Sequence, residues 1–281
     1  MMQLQDVSGQ YRTITGPVKA VNHVSFDIWD DEIFGIAGES GCGKSTLLKL
    51  MYDIVQFPLE LTGGQVLLKT QKDGIDRELT SGEIRKAWWD QISYVPQAAM
   101  SVLNPVYRIE EQFYELFRRH RKNEGRQAMR ARIEQYLSEL NLPLDVLKAY
   151  PHQLSGGMRQ RVVIAMATFL HPDMIFADEP TTALDVVVQR NILMMLTELQ
   201  KKMKNTLVIV SHDMGVHYQI TNRLAIMYSG SLAELGPTEK IFSNPLHPYT
   251  QMLIGALPRV GDHSEREGIP AEYATQLLTV I

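Results

Sequence analysis

The sequence predicts an α/β fold: a largely parallel sheet with helices on both faces, organised around a phosphate-binding loop. Three observations lead there. The run Gly38-Glu39-Ser40-Gly41-Cys42-Gly43-Lys44-Ser45 fits G-x-x-x-x-G-K-[ST]. It follows a buried-strand run, Ile33 to Ala37, and precedes good helix formers, Thr46 to Met51. Downstream, apolar strand runs alternate with amphipathic helical runs, as in βαβ units.

Taken in order, the chain begins with strands. Val24, Phe26 and Ile28 alternate with Ser25 and Asp27, the pattern of a half-buried antiparallel strand, and Asp30-Asp31-Glu32 marks a solvated turn. Gly63-Gly64 is expected to open a strand over 65–69, and Thr70 to Glu83 to form a hairpin or surface loop. Trp88 and Trp89 read as packing residues ahead of the strand Ile92 to Val95. From Ile109 to Leu140 the chain reads as helical, with Met129, Ile133, Leu137 and Leu140 on one face and Asn141-Leu142-Pro143 as the stop. Arg118 to Lys122 reads as a solvated helix face. Leu154-Ser155-Gly156-Gly157-Met158 leads into a helix from Arg159 to Leu170 with apolar residues nearly all round. A strand from Met174 ends in Asp178-Glu179; Val188, Ile192, Met195 and Leu199 make the next helix; Thr206 to Val210 is a buried strand ending at Ser211-His212-Asp213. Arg223 to Glu234 is expected to be a hairpin turning at Ser229-Gly230.

Bulk properties exclude several classes. At 281 residues the chain can build a large core, and its net charge of −4 gives no electrostatic footprint for nucleic acid or anionic lipid. Its one cysteine excludes an internal disulfide and any cysteine-built zinc or iron–sulfur site within the chain. The longest apolar run, Val162 to Leu170, is too short to span a bilayer, and the first residues lack the layout of a signal peptide. The expectation is a soluble, cytoplasmic protein that meets the membrane only through a partner.

The motif carries a defined chemistry. Glycines let backbone N–H groups turn inward toward phosphate oxygens at a helix N-terminus. Lys44 supplies a mobile charge for the β- and γ-phosphates, and the Ser45 hydroxyl can ligate Mg²⁺. Asp178, at a strand end, is the metal-side acid; Glu179 beside it, pointing the other way, is the residue to address an attacking water. His212 ends another buried strand, where strand carboxyl ends converge on ligand, and reads as a γ-phosphate contact. Ser211-His212-Asp213 is not a hydrolase triad, because sequence neighbours cannot form that hydrogen-bond chain. Gln97 can contact Mg²⁺ or the water while reporting on how the helical insertion is placed. Cys42, inside the loop, is expected to favour the thiolate at a helix N-terminus and so to be open to a maleimide. Ser155, Gly156 and Gly157 open a long helix and make a second anion cradle. One ATP needs one loop, so this cradle is expected to serve another chain's nucleotide.

In order and wording these motifs resemble the ABC transporter ATPase subunits over about residues 1–245. Gly38-Glu39-Ser40-Gly41, Leu103-Asn104-Pro105-Val106, Ser155-Gly156-Gly157-Met158-Arg159-Gln160-Arg161, Asp178 through Val186, and Asn244-Pro245-Leu246-His247-Pro248-Tyr249 are similar to the dipeptide/oligopeptide-uptake branch. The Met after Ser-Gly-Gly resembles the first of its two paired ATPases.

The resemblance implies a P-loop NTPase core with an antiparallel β subdomain and an inserted helical subdomain. Residues 1–97 would be the first part of the core, 98–158 the helical subdomain with the signature, 159–243 the second part, and 244–281 a C-terminal extension. It also implies that Glu39, Ser40, Gly41, Cys42, Gly43 and Thr46 contact nucleotide with Lys44 and Ser45, that Tyr11 stacks on adenine, and that Asp185 lies at a dimer seam. ATP and Mg²⁺ are the implied ligands. Implied partners are a second ATPase bound head to tail, two permease subunits and an extracytoplasmic solute-binding protein, with the chain on the cytoplasmic face of the cell membrane. Some members carry an iron–sulfur cluster near the C-terminus; with no cysteine beyond Cys42, none is expected here. A soluble ABC ATPase acting on DNA or ribosomes is the rival reading, but such chains carry a long coiled coil or two cassettes. A non-hydrolysing scaffold is the other, and intact Lys44, Glu179 and His212 argue against it.

Overall fold

Strands 33–37, 174–178 and 206–210 are buried at every position, so their sheet must be covered on both sides, and that requirement shapes the molecule. The computed structural model describes residues 1–72, 75–97, 102–120 and 125–257. An antiparallel sheet of order β2-β1-β4-β5 is formed by β1 (Met2–Thr13), β2 (Gly16–Ile28), β4 (Leu59–Lys72) and β5 (Ile75–Thr80). The central sheet holds β3 (Ile33–Ala37), β6 (Ile92–Val95), β7 (Met174–Asp178), β8 (Thr206–Val210), β9 (Arg223–Tyr228) and β10 (Ser231–Pro237) in the order β10-β9-β3-β8-β7-β6. Only β10 runs antiparallel to its neighbour.

Between the two sheets lies α1 (Lys44–Met51), which buries Leu47, Leu48, Leu50 and Met51 against Met174 and Phe176 of β7 and Val208 and Val210 of β8. The opposite faces of the same strands, Ile175, Ala177, Leu207 and Ile209, pack on the helical side. That side contains α2 (Ile109–His120), α3 (Arg126–Glu139), α4 (Gly156–Thr168) and α5 (Val186–Met203). Beyond β8 come α6 (Met214–Ile220), α7 (Thr238–Ser243) and α8 (Pro248–Gly255), sharing a small core with Ala37, Leu224 and Ile226. The carboxyl ends of β3, β7 and β8 therefore stand side by side, and the site forms there.

Most element expectations hold. Two are corrected. Gly63-Gly64 does not open a strand: β4 starts at Leu59, and the pair sits at a register shift against β1. Gly64 has φ +68, and a Cβ there would lie 2.2 Å from the Gln5 carbonyl, so the glycine answers a close backbone approach rather than a turn. Ile109 to Leu140 is two helices rather than one; Arg121 and Lys122 of the basic run lie outside the described residues, and Arg118 and Arg119 are exposed. The segment from Thr70 to Glu83 falls in the expected hairpin, β4 paired antiparallel with β5. Trp88 does pack, stacking on Tyr52 at 5.0 Å with its indole N–H on the Tyr52 carbonyl.

Candidate active site at the phosphate loop

Steric demand explains the glycines of the loop. Gly38, Gly41 and Gly43 have φ of +145°, +85° and +104°. A Cβ on Gly43 would lie 2.1 Å from the Ala20 carbonyl, and one on Gly38 would lie 2.3 Å from that of Met227. The loop is backed by strands from both sheets: Gly230 N–H donates to the Cys42 carbonyl at 3.0 Å, and Asn22 N–H to Gly230 at 2.8 Å. Lys44 is buried, and its Nζ donates to the carbonyls of Gly38 and Glu39 at 2.7 Å each. Glu39, Ser40 and Gly41 are exposed, Gly43 and Ser45 half-buried, and Thr46 buried.

The acids lie where strand alternation puts them. Asp178 shares the face of Met174 and Phe176, toward α1, and Ser45 Oγ donates to its Oδ1 at 3.0 Å. Tyr94, on the neighbouring β6, donates to Oδ2 at 3.0 Å. Burial raises the Asp178 carboxyl above the ordinary aspartate range, against the hydrogen bonds from Ser45 and Tyr94. A hydroxyl and a carboxylate at this spacing beside the phosphate lysine are hard oxygen donors, and they fit Mg²⁺.

Glu179 follows β7 with φ +46°, so a left-handed residue, and not strand alternation alone, turns it from Asp178. Its Oε2 accepts from Thr182 Oγ1 at 2.8 Å and Gln97 Nε2 at 2.9 Å, and its Oε1 lies 3.2 Å from His212 Nδ1. Burial opposes ionisation, but hydrogen bonds from Thr182 and His212, with the charges of His212 and Lys44, outweigh it, and the pKa falls below the ordinary glutamate value. The carboxylate is thus ionised at neutral pH and held by three donors. Gln97 stands with this base. Tyr11, half-buried on β1, has its hydroxyl 3.2 Å from Thr46 Oγ1 at the start of α1.

Lys44, Ser45, Asp178, Glu179, Gln97 and His212 are therefore brought together. Ser155, Gly156, Gly157 and Asp185 form a second group. Ser155 caps α4, its Oγ accepting from Met158 N–H at 3.3 Å, and Asp185 caps α5, accepting from Val188 N–H at 2.9 Å. A Cβ on Gly157 would lie 2.5 Å from Val188, so its glycine packs the two helices. At Gly156 the nearest atom to a Cβ is Leu184 Cδ2 at 3.7 Å, an ordinary contact, so this chain alone does not demand a glycine there.

Cys42 corrects the sequence expectation. It is 7 % exposed, and burial raises its pKa despite the charge of Lys44, so it is a protonated, shielded thiol and not a reactive thiolate. Sequence reasoning also gave Tyr94 and Thr182 no role. Thr182 had a local signal, three residues past Glu179 in a turn, whereas Tyr94 meets Asp178 only through the β6–β7 pairing.

Fold and loop together define a P-loop nucleotide-binding protein. The ABC transporter family profile matches residues 21–182, and that of the oligopeptide/dipeptide transporter C-terminal region matches 233–277. The dipeptide transport ATP-binding protein DppD of Bacillus subtilis (strain 168) is 41 % identical over 263 residues, covering 92 % of this chain and 77 % of that protein. The oligopeptide transport ATP-binding protein OppD of the same organism is 34 % identical, covering 95 % and 74 %. Among solved structures, the dimeric post-hydrolysis state of the ATP-binding cassette MJ0796 bound to ADP and Pi matches with a TM-score of 0.71 at 29 % identity, covering 85 % of this chain and 99 % of that one. The chain belongs to the ABC transporter ATPases and carries the oligopeptide/dipeptide C-terminal region. It is an ATP-binding, ATP-hydrolysing transporter subunit.

Proposed function

We propose that this chain drives import of dipeptides or oligopeptides as the first of two paired ATPases, bound head to tail on two permease subunits at the cytoplasmic face of the membrane. An extracytoplasmic binding protein delivers the solute. The observation that carries the pairing is the second cradle: Ser155 bonds its own helix, and among the described residues a Cβ on Gly156 would meet only an ordinary contact with Leu184 at 3.7 Å. Exposed Val186 and Val187, 79 % and 70 % accessible beside Asp185, supply apolar area for the seam. Among the described residues no helix is long and apolar enough to cross a membrane.

In the reaction, backbone N–H groups of Ser40 through Thr46 cradle the phosphates, and Lys44 exchanges its two loop carbonyls for phosphate oxygens. Tyr11 lies against the base. Ser45 and Asp178, with the Gln97 amide oxygen, would hold Mg²⁺, which would supply positive charge against that developing on the phosphoryl group. Glu179 accepts the proton of the attacking water once one of its three donors yields. Gln97 is the donor at the junction with the helical insertion, so placement of that insertion sets the freedom of the base. With Nδ1 of His212 on Glu179, its second ring nitrogen faces the γ-phosphate. No covalent intermediate forms.

The test is reconstitution with the permeases and binding protein in liposomes. Peptide-loaded binding protein should stimulate ATP hydrolysis and peptide uptake together, and Lys44→Ala should abolish both. Hydrolysis indifferent to every peptide, with full assembly, would overturn the substrate class.

A further inference from the structure

The C-terminal segment reaches the phosphate loop. Tyr249, in the first turn of α8, is 1 % exposed, and its ring centroid lies 4.4 Å from that of Tyr228 at the end of β9. Its hydroxyl oxygen accepts the Glu39 backbone N–H at 3.0 Å. The carbonyl of the same Glu39 accepts Lys44 Nζ at 2.7 Å. One residue of the loop is thus anchored by its N–H to the C-terminal helix while its carbonyl holds the phosphate lysine.

We propose that Tyr249 is a positioning residue of the phosphate loop, fixing Glu39 so that Lys44 rests where arriving phosphates can take it over. This deepens the reading of residues 38–46 as the nucleotide site and rests on it. Within the loop, Lys44 Nζ holds the Gly38 and Glu39 carbonyls and the Cys42 N–H donates to the Glu39 carbonyl at 3.3 Å. The Glu39 N–H finds its acceptor outside the loop, in Tyr249. Gly38 before it has φ +145° and no room for a side chain, and Glu39 and Ser40 are exposed, so the brace on that N–H comes from another element.

Tyr249 is itself locked. Glu234 on β10 accepts the N–H groups of Leu246 and His247 at 2.9 and 3.0 Å. His247 Nδ1 then caps α8 by accepting the Tyr249 N–H at 3.1 Å, with Pro248 at the first helical position. Burial pushes the Tyr249 phenol up to about 12, so it stays a neutral acceptor. Removing only the hydroxyl leaves the Glu39 N–H without its acceptor against an apolar ring, and the peptide is free to turn away.

The experiment measures MgATP affinity of the full chain, and KM and kcat in the assembled transporter, for Tyr249→Phe. Loss of one hydrogen bond predicts a ~3- to 10-fold rise in Kd and KM with kcat within about twofold, since Glu179 and its donors stand on other strands. His247→Asn, which keeps a capping acceptor, should bind as the unaltered chain; His247→Leu should mimic Tyr249→Phe and add nothing to it. Unchanged KM, or a fall in kcat, would overturn the proposal, because a Tyr249 that only fills the core would change the active fraction and leave KM alone. Lys44→Ala run alongside separates the two readings: if it too binds MgATP normally, the nucleotide site itself is misplaced, and not merely its brace.

Discussion

The phosphate loop and the signature helix are both glycine-rich helix entries, yet one is wired into its own chain and the other is not. At the loop, Lys44, Ser45, Asp178, Glu179, Gln97 and His212 bond to one another or to loop carbonyls. Gly38 and Gly43 are demanded by backbone packed behind them, and Gly41 by its positive φ. At the signature, Ser155 bonds only its own helix, and Gly156 faces room for a side chain. A glycine that the fold itself does not need points to something that approaches from outside. On the proposed pairing, the wired region is this chain's active site and the open one is half of another.

The largest test of the wired region is Glu179→Gln. The amide keeps the shape and an acceptor but cannot take a proton, so hydrolysis in the assembled transporter should slow by about 10²–10⁴-fold while MgATP binding persists. Near-normal turnover would mean that the three donors hold Glu179 for structure alone.

An acid test comes next in size. His217 is fully buried under the loop strand, its Nε2 on the Ser211 carbonyl and its pKa lowered to about 4 by desolvation. The unfolded chain, at an ordinary 6.5, binds a proton that the folded one refuses, so stability falls as pH drops from 6.5 toward 4. By pH 5 this group alone costs ~2 kcal/mol. Urea midpoints at pH 7 and pH 5 should show that slope in the unaltered chain and a flatter one in His217→Asn; parallel slopes would refute it.

Much of this arrangement was legible. The loop spacing gives Lys44 and Ser45, and the alternation of side chains along β7 puts Asp178 on the face of α1, where Ser45 waits. The Ser155 cap on α4 was legible because Ser-Gly-Gly before a helix is a local pattern. What escaped needed sheet order or depth. Tyr94 reaches Asp178 because β6 pairs with β7, 84 residues away in sequence. Cys42 looked reactive from its helix N-terminus, but the β9–β10 turn and β2 cover it, and burial outweighs the neighbouring charge. Gly64 looked like a strand start because a bulge and a turn use the same residue.

The smallest of the expected effects sharpens the metal side. Tyr94→Phe removes one donor from Asp178 without touching Ser45. The apparent Mg²⁺ requirement for hydrolysis should shift by ~3- to 10-fold, the net worth of one ordinary hydrogen bond. An unchanged Mg²⁺ titration would make Tyr94 a packing residue.

The contrast between the two helix entries is tested most directly by Gly156→Asp. A side chain fits there within this chain, so the folded monomer should bind MgATP as before, whereas Lys44→Ala should not. In the assembled transporter the added carboxylate meets the partner's γ-phosphate, and ATP-driven closure and nucleotide trapping at the partner's loop should be lost. If Gly156→Asp instead destroys nucleotide binding by the folded monomer, the second cradle serves this chain's own ATP and the head-to-tail account is contradicted.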